Sequence, residues 1–129
     1  MYIETKERGW AGHFCKSSDC LYHRNTSVTN GDVTVIISTV GNYYPNNANV
    51  LHDLGGGRIY ETMVFLGKEQ FNYIEADVQN EVVNDIGQWF LTRNELRQDS
   101  DNQADEMHDR IVNAVTGFIL TQTIRVFEN

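Results

Sequence analysis

An α+β fold, in which an antiparallel sheet is made first and a C-terminal helix packs against it, is what this chain of 129 residues predicts. Three observations carry that reading. Val33-Thr34-Val35-Ile36-Ile37-Ser38-Thr39-Val40 is β-branched almost throughout and reads as a central strand. Asn30-Gly31 stands just before it, a dipeptide suited to a two-residue hairpin turn because both positions tolerate positive φ. After residue 100 the apolar spacing changes from two to three-and-four: Ala104, Met107, Ile111, Ala114 or Val115, and Phe118 form one helical stripe. With no internal repeat or linker, residues 1–129 read as one domain.

Taken in order, Met1 to Thr5 reads as a short edge strand or lead-in. Gly9 and Gly12 bracket Trp10 and allow a bulged strand to Cys15, followed by a polar turn at Lys16 to Asp19. Cys20, Tyr22, Arg24 and Thr26 then share one face of a strand, with Leu21, His23 and Asn25 on the other. The hairpin at Asn30-Gly31 leads into the central strand, which Gly41 ends. Asn42 to Gly57 is a long loop, with the only proline (Pro45), an asparagine cluster and Gly55-Gly56-Gly57. Those glycines could present backbone N–H groups to an anion. There is no Gly-Lys-Ser/Thr and no following helix, so this is not a Walker loop.

Arg58 to Leu66 is a second strong strand, Gly67-Lys68-Glu69 the next turn, and Gln70 to Val78 its hairpin partner. Val82 to Leu91 fits a helical stripe or a strand through Trp89-Phe90. Thr92 to Asp101 is a polar connector. Ser100 and Gln103 have capping-box spacing, and Asp101, Asp105 and Glu106 suit the positive end of the helix. Past Gly117 the β-branched tail either continues the helix to Val126 or begins a last strand near Phe118.

Composition narrows the function. The net charge of −8 opposes binding to long nucleic acid, which calls for a basic face. No window approaches the ~18 apolar residues of a membrane helix, and the first residues do not form a signal peptide. The expected compartment is the cytoplasm. A small anion remains compatible, because it needs only two or three local donors. Seven of the ten basic residues are arginine, the side chain best suited to phosphates and to stacking.

The stretch from Glu7 to Thr26, ERGWAGHFCKSSDCLYHRNT, is the densest in reactive side chains. His13, Cys15, Cys20 and His23 have zinc-ligand chemistry. Strand parity opposes a closed site, because Cys20 and His23 point to opposite faces, so no metal or cofactor is expected. Neither cysteine has the flanking residues of an activated nucleophile, and no catalytic residue is assigned. If Met107 and Ile111 face the sheet, Arg110 lies at the edge of that interface, able to reach a cleft, and Asn113 follows one turn on.

ERGWAGHFCKSSDCLYHRNT, then STVG, RIYETMVF and ADEMHDRIV, together resemble the phage-encoded Thoeris anti-defence family, the first type described, over most of the chain. The resemblance implies a sponge. Such a protein binds cyclic ADP-ribose isomers, and in some members cyclic trinucleotides at a separate site, and holds them uncleaved in the host cytosol. It also implies a sheet followed by helices in a homodimer or larger homo-oligomer, with the ligand recessed at the dimer interface. Residue type and position then give Arg58, Phe90, Arg110 and Arg125, with Asn94, for the ADP-ribose-type site. Arg24, Asn25 and Thr26 are the corresponding expectation for a cyclic oligonucleotide. The competing classes are an enzyme that degrades such a signal and an acidic inhibitor of a defence nuclease. Against the inhibitor, the carboxylates are dispersed, apart from Asp99-Asp101 and Asp105-Glu106.

Overall fold

The computed structural model describes residues 3–9, 19–31, 33–70, 73–82 and 87–120. They form a six-stranded antiparallel sheet followed by one helix, the α+β arrangement the sequence predicts. Strands β1 (Ile3–Glu7), β2 (Cys20–Asn30), β3 (Val33–Tyr43), β4 (Arg58–Gln70) and β5 (Tyr73–Glu81) neighbour one another in chain order. Strand β6 (Phe90–Thr92) pairs with the start of β4, while β5 pairs with its end. Helix α1 (Ser100–Leu120) packs across β2, β3 and β4. No helix among the described residues is long and apolar enough to cross a membrane.

Strand alternation sorts the side chains into two buried layers. Val28, Val35, Ile37, Tyr60, Val64 and Leu91 face α1 and meet Ala104, Met107, Ile111 and Val115. Fully burying each of the larger helix side chains contributes roughly 1.5–3 kcal/mol, so this stripe anchors α1. The opposite face buries Ile36, Met63, Phe65 and Ala76. That face is enclosed partly because the sheet curls. Arg8, just beyond β1, donates a hydrogen bond from its guanidinium to the carbonyl of Ile74 on β5, at the far end of the strand path.

Several local expectations move by a few residues, each for a physical reason. The β2–β3 hairpin forms, but Asn30 pairs with Val33, so Gly31 rather than Asn30 takes the first loop position, at φ 59°. Strand β3 does not stop at Gly41. The Tyr60 ring lies on that glycine, and a Cβ there would sit 2.1 Å from its Cδ2, so the glycine serves packing rather than termination. Likewise Gly67-Lys68-Glu69 is strand, not turn. β4 runs to Gln70, which pairs with Tyr73, and Gly67 makes room for Ile74, whose Cγ2 would lie 2.7 Å from an added Cβ.

The expected capping box at Ser100 is replaced by other bonds. Ser100 Oγ is 2.9 Å from the Tyr60 hydroxyl, and the Gln103 amide accepts from the Arg97 N–H at 2.6 Å and donates to the Glu95 carbonyl at 2.9 Å. A capping box forms eight residues earlier, where Thr92 and Glu95 close the 3₁₀ turn Arg93–Glu95. Of the two readings for Val82 to Leu91, the strand holds at Phe90–Thr92; residues 83–86 lie outside the described residues. Helix α1 passes through Gly117 to Leu120, so no strand begins at Phe118. Residues 121–129 lie outside the described residues, as does the expected bulged strand at 10–15.

Because Gly41 is packed by an aromatic ring, Gly41→Ala should destabilise the fold by about 1–3 kcal/mol through overpacking. A fall in the urea midpoint without a change in slope would show this.

Candidate functional site

The most constrained chemistry lies under α1, where three strands each contribute one threonine. Thr26, Thr39 and Thr62 all point toward the helix, and His108 descends among them, fully buried. His108 Nε2 is 2.7 Å from Thr26 Oγ1, its Nδ1 is 2.7 Å from Thr39 Oγ1, and Thr39 is 2.6 Å from Thr62. Thr26 donates to Glu7 Oε2 at 2.8 Å.

A carboxylate only accepts, which fixes the direction of the bonds made by Thr26. With the Thr26 proton committed to Glu7, Thr26 Oγ1 must accept from Nε2–H. Because burial opposes the imidazolium, Nδ1 is unprotonated and accepts from Thr39, which accepts in turn from Thr62. The imidazole is therefore neutral and held as one tautomer. Burial pushes its pKa down to about 4, helped by the positive charge of Arg24, while Glu7, Asp109 and Asp105 pull the other way. For Glu7 burial opposes ionisation, but hydrogen bonds from Arg24 and Thr26 outweigh it and hold the carboxyl below its ordinary range.

Arg24 sits beside this chain and is engaged on several sides. Its Nε is 2.7 Å from Glu7, and its Nη1 is 2.9 Å from Asp109 and 3.5 Å from Asp105. Asp101, Asp105 and Asp109 recur every four residues along one edge of α1 and meet the sheet in order. Asp101 accepts from Tyr60 at 2.6 Å, and Asp105 from Tyr22 at 2.5 Å. Tyr22 and Tyr60 pack edge to face with centroids 5.6 Å apart. Burial, and then the Asp101 carboxylate, raises the Tyr60 hydroxyl to about 12. These groups bind the helix to the sheet. Arg24 and Thr26 are part of that joint, and Asn25 is buried on the opposite face, its Oδ1 without a hydrogen-bond partner among the described residues. The expected Arg24-Asn25-Thr26 trio is thus not gathered on one surface.

A cleft of about 380 Å³ opens between β6 and the outer edge of α1. Leu91 and Met107 contribute its apolar lining, Gln88 and Gln103 supply amides, and Arg97, Glu106 and Arg110 supply charge. Arg97 bonds Asp99 at 3.2 Å and Glu106 at 3.3 Å. Arg110 is exposed and donates to the Gln88 carbonyl. Among the described residues it has no carboxylate partner. Gly87, at φ 93°, lies where a Cβ would come within 2.5 Å of Arg110 Nη1.

Arg58 and Phe90 do come together. The Arg58 guanidinium lies 4.5 Å from the Trp89 ring centroid and 5.1 Å from that of Phe90, and it bonds the buried Glu61 at 3.3 Å. The two rings meet edge to face, 5.2 Å apart. Phe90 pairs with Glu61 and Leu91 with Tyr60, so Phe90 and Leu91 point to opposite faces of β6. Arg58 and Phe90 therefore adjoin the cleft rather than line it. Asn94 is exposed on the 3₁₀ turn that follows, and Arg125 lies outside the described residues.

The glycine-rich loop does enclose an anion, but the anion is its own. Asp53 accepts from the N–H of Gly57 at 2.9 Å and of Gly55 at 3.2 Å, and Gly55, Gly56 and Gly57 all have positive φ. Of the possible zinc set, Cys20 is buried and His23 exposed, while His13 and Cys15 lie outside the described residues. No group of three or more His, Cys, Asp or Glu suited to a metal occurs among the described residues. No protein-family model, curated protein or solved structure matches the chain.

His108 has a depressed pKa in the fold, so its contribution to stability is fully present above its ordinary value of 6.5 and is lost as pH falls toward about 4. Urea unfolding should show a stability loss of order 3 kcal/mol across that window. In His108→Gln, which starts less stable, most of that slope should disappear.

Proposed function

We propose that this chain is a small-anion-binding protein that holds its ligand without transforming it. The observation that carries this reading is the cleft between β6 and α1, where Arg110 presents a guanidinium that no carboxylate pairs among the described residues, over an apolar lining of Leu91 and Met107. Its volume of about 380 Å³ lies within the roughly 300–1,000 Å³ of typical ligand pockets. The lining suits retention more than proton transfer. Arginines stay charged and offer forked donors, and the Gln88 and Gln103 amides can read hydroxyls.

The particular ligand we propose is a cyclic ADP-ribose isomer, sequestered as an immune signal during phage infection. The choice of signal rests on the resemblance of the sequence motifs to the Thoeris anti-defence family. Under the same reading the protein works in the host cytosol as a homodimer, with the partner closing the cleft.

Isothermal titration with cyclic ADP-ribose isomers and cyclic di- and trinucleotides, followed by mass spectrometry of ligand released on denaturation, tests both parts. Recovery of intact ligand is expected. A cleaved product would make the protein an enzyme, and no binding by any of these compounds would favour a protein-binding inhibitor. Arg110→Ala should weaken binding by about tenfold or more, corresponding to loss of a charge-assisted hydrogen bond. Unchanged affinity would remove Arg110 from the site.

A further inference from the structure

The mouth of the curled sheet, on the face away from α1, holds a second cavity, of about 270 Å³. We infer that this mouth is a separate binding site for a compact oxyanion, a phosphate or phosphate monoester. It is independent of the cleft proposed above, which lies across the sheet from it.

Register places the lining side chains together. Lys6 pairs with Ser27 and Glu4 with Thr29 across β1 and β2, so all four share a face. Thr34 reaches the same face from β3, and its hydroxyl is 3.0 Å from that of Thr29. Ile74 on β5 forms the opposing wall, and the Arg8 guanidinium crosses to its carbonyl. The result is two cationic side chains and three hydroxyls around one small space, with a single carboxylate, Glu4. Among the described residues no ion pair engages the Lys6 ammonium.

Inward-pointing charges on an edge strand also have a plainer use, which is to discourage edge-to-edge pairing with another molecule. That use requires no cavity and no hydroxyls. Here the charges border a cavity, and the interior of the same face sets polar Asn25, Ser27 and Ser38 beside the apolar Ile36, Met63 and Phe65. Concave sites are recurrent ligand positions, and the curl supplies walls that a flat sheet lacks. An ammonium with several hydroxyl donors matches a tetrahedral oxyanion, whose oxygens accept in several directions. The small volume favours one phosphate group over a dinucleotide.

The test is amide chemical-shift mapping on the full chain, titrated with inorganic phosphate and separately with ribose 5-phosphate, against chloride at matched ionic strength. Saturable shifts are expected at Lys6, Ser27, Thr29 and Thr34 and not with chloride. Lys6→Gln should weaken binding about tenfold, and Glu4→Gln should tighten it, because one removes attraction and the other repulsion. Arg110→Ala should leave these shifts unchanged. Tighter binding of ribose 5-phosphate would identify a monoester site, and equal binding a site for the bare anion; either supports the inference. Shifts confined to β6 and α1, failure to saturate, or insensitivity to both β1 substitutions would overturn it, whatever the fate of the cleft.

Discussion

A neutral histidine at the centre of the molecule fixes how helix and sheet meet. Among the described residues, His108 is the one buried polar side chain that α1 sets into the core between itself and β2, β3 and β4. It is tolerated there because both ring nitrogens are satisfied, each by a threonine from a different strand. Loss of either partner would leave a buried nitrogen without its bond, at a cost of about 1–3 kcal/mol. Apolar stripes can slide by a turn or rotate by a few tens of degrees and still be buried. A ring that must reach Thr26 with one nitrogen and Thr39 with the other has no such freedom. The position of α1 along the sheet, and with it the cleft at its outer edge, is set by those two bonds.

The aspartates at 101, 105 and 109 reinforce the same register from the edge. They meet Tyr60, Tyr22 and Arg24 in succession, so helix and sheet are matched at three heights as well as at the centre. The partly exposed ion pairs in this row add little to stability individually. Their effect is geometric. They hold the acidic edge of the helix against the sheet, while Arg110 projects toward the cleft and is free of carboxylates there among the described residues.

The sheet and helix were legible because they depend on period and turn chemistry, which are local. Val33 to Val40 and the stripe through Ala104, Met107, Ile111 and Val115 are where the sequence places them. Turn positions were less legible. Glycines at 41 and 67 have the look of strand ends, yet both lie within strands because a neighbouring side chain needs the space of the missing Cβ. That requirement comes from Tyr60 and Ile74, which no window around either glycine contains. The polar core was readable in part. His108 falls on the apolar stripe, four residues after Ala104, and Thr26, Thr39 and Thr62 lie on helix-facing positions of their strands. What sequence does not give is that these three strands lie side by side under that turn of helix. For the site, Arg110 at the edge of the interface follows directly from Met107 and Ile111 facing the sheet. The separation of Phe90 from Arg110 does not, since it depends on the register of three residues in β6.

The latch between Arg8 and Ile74 also bears on the order in which the chain can assemble. The β2–β3 and β4–β5 hairpins join residues only a few positions apart and can form while the rest is unstructured. The bond from Arg8 to the Ile74 carbonyl spans 66 positions, and those from β2 and β3 to His108 span 82 and 69. None can form until the intervening strands are aligned, and contacts at such separations slow folding because chain entropy is lost before they stabilise anything. Closing the curl and seating the helix are therefore late events. Until they occur, the apolar face that α1 covers is open to other molecules, and the time before the helix seats is when this protein is most exposed to misassociation.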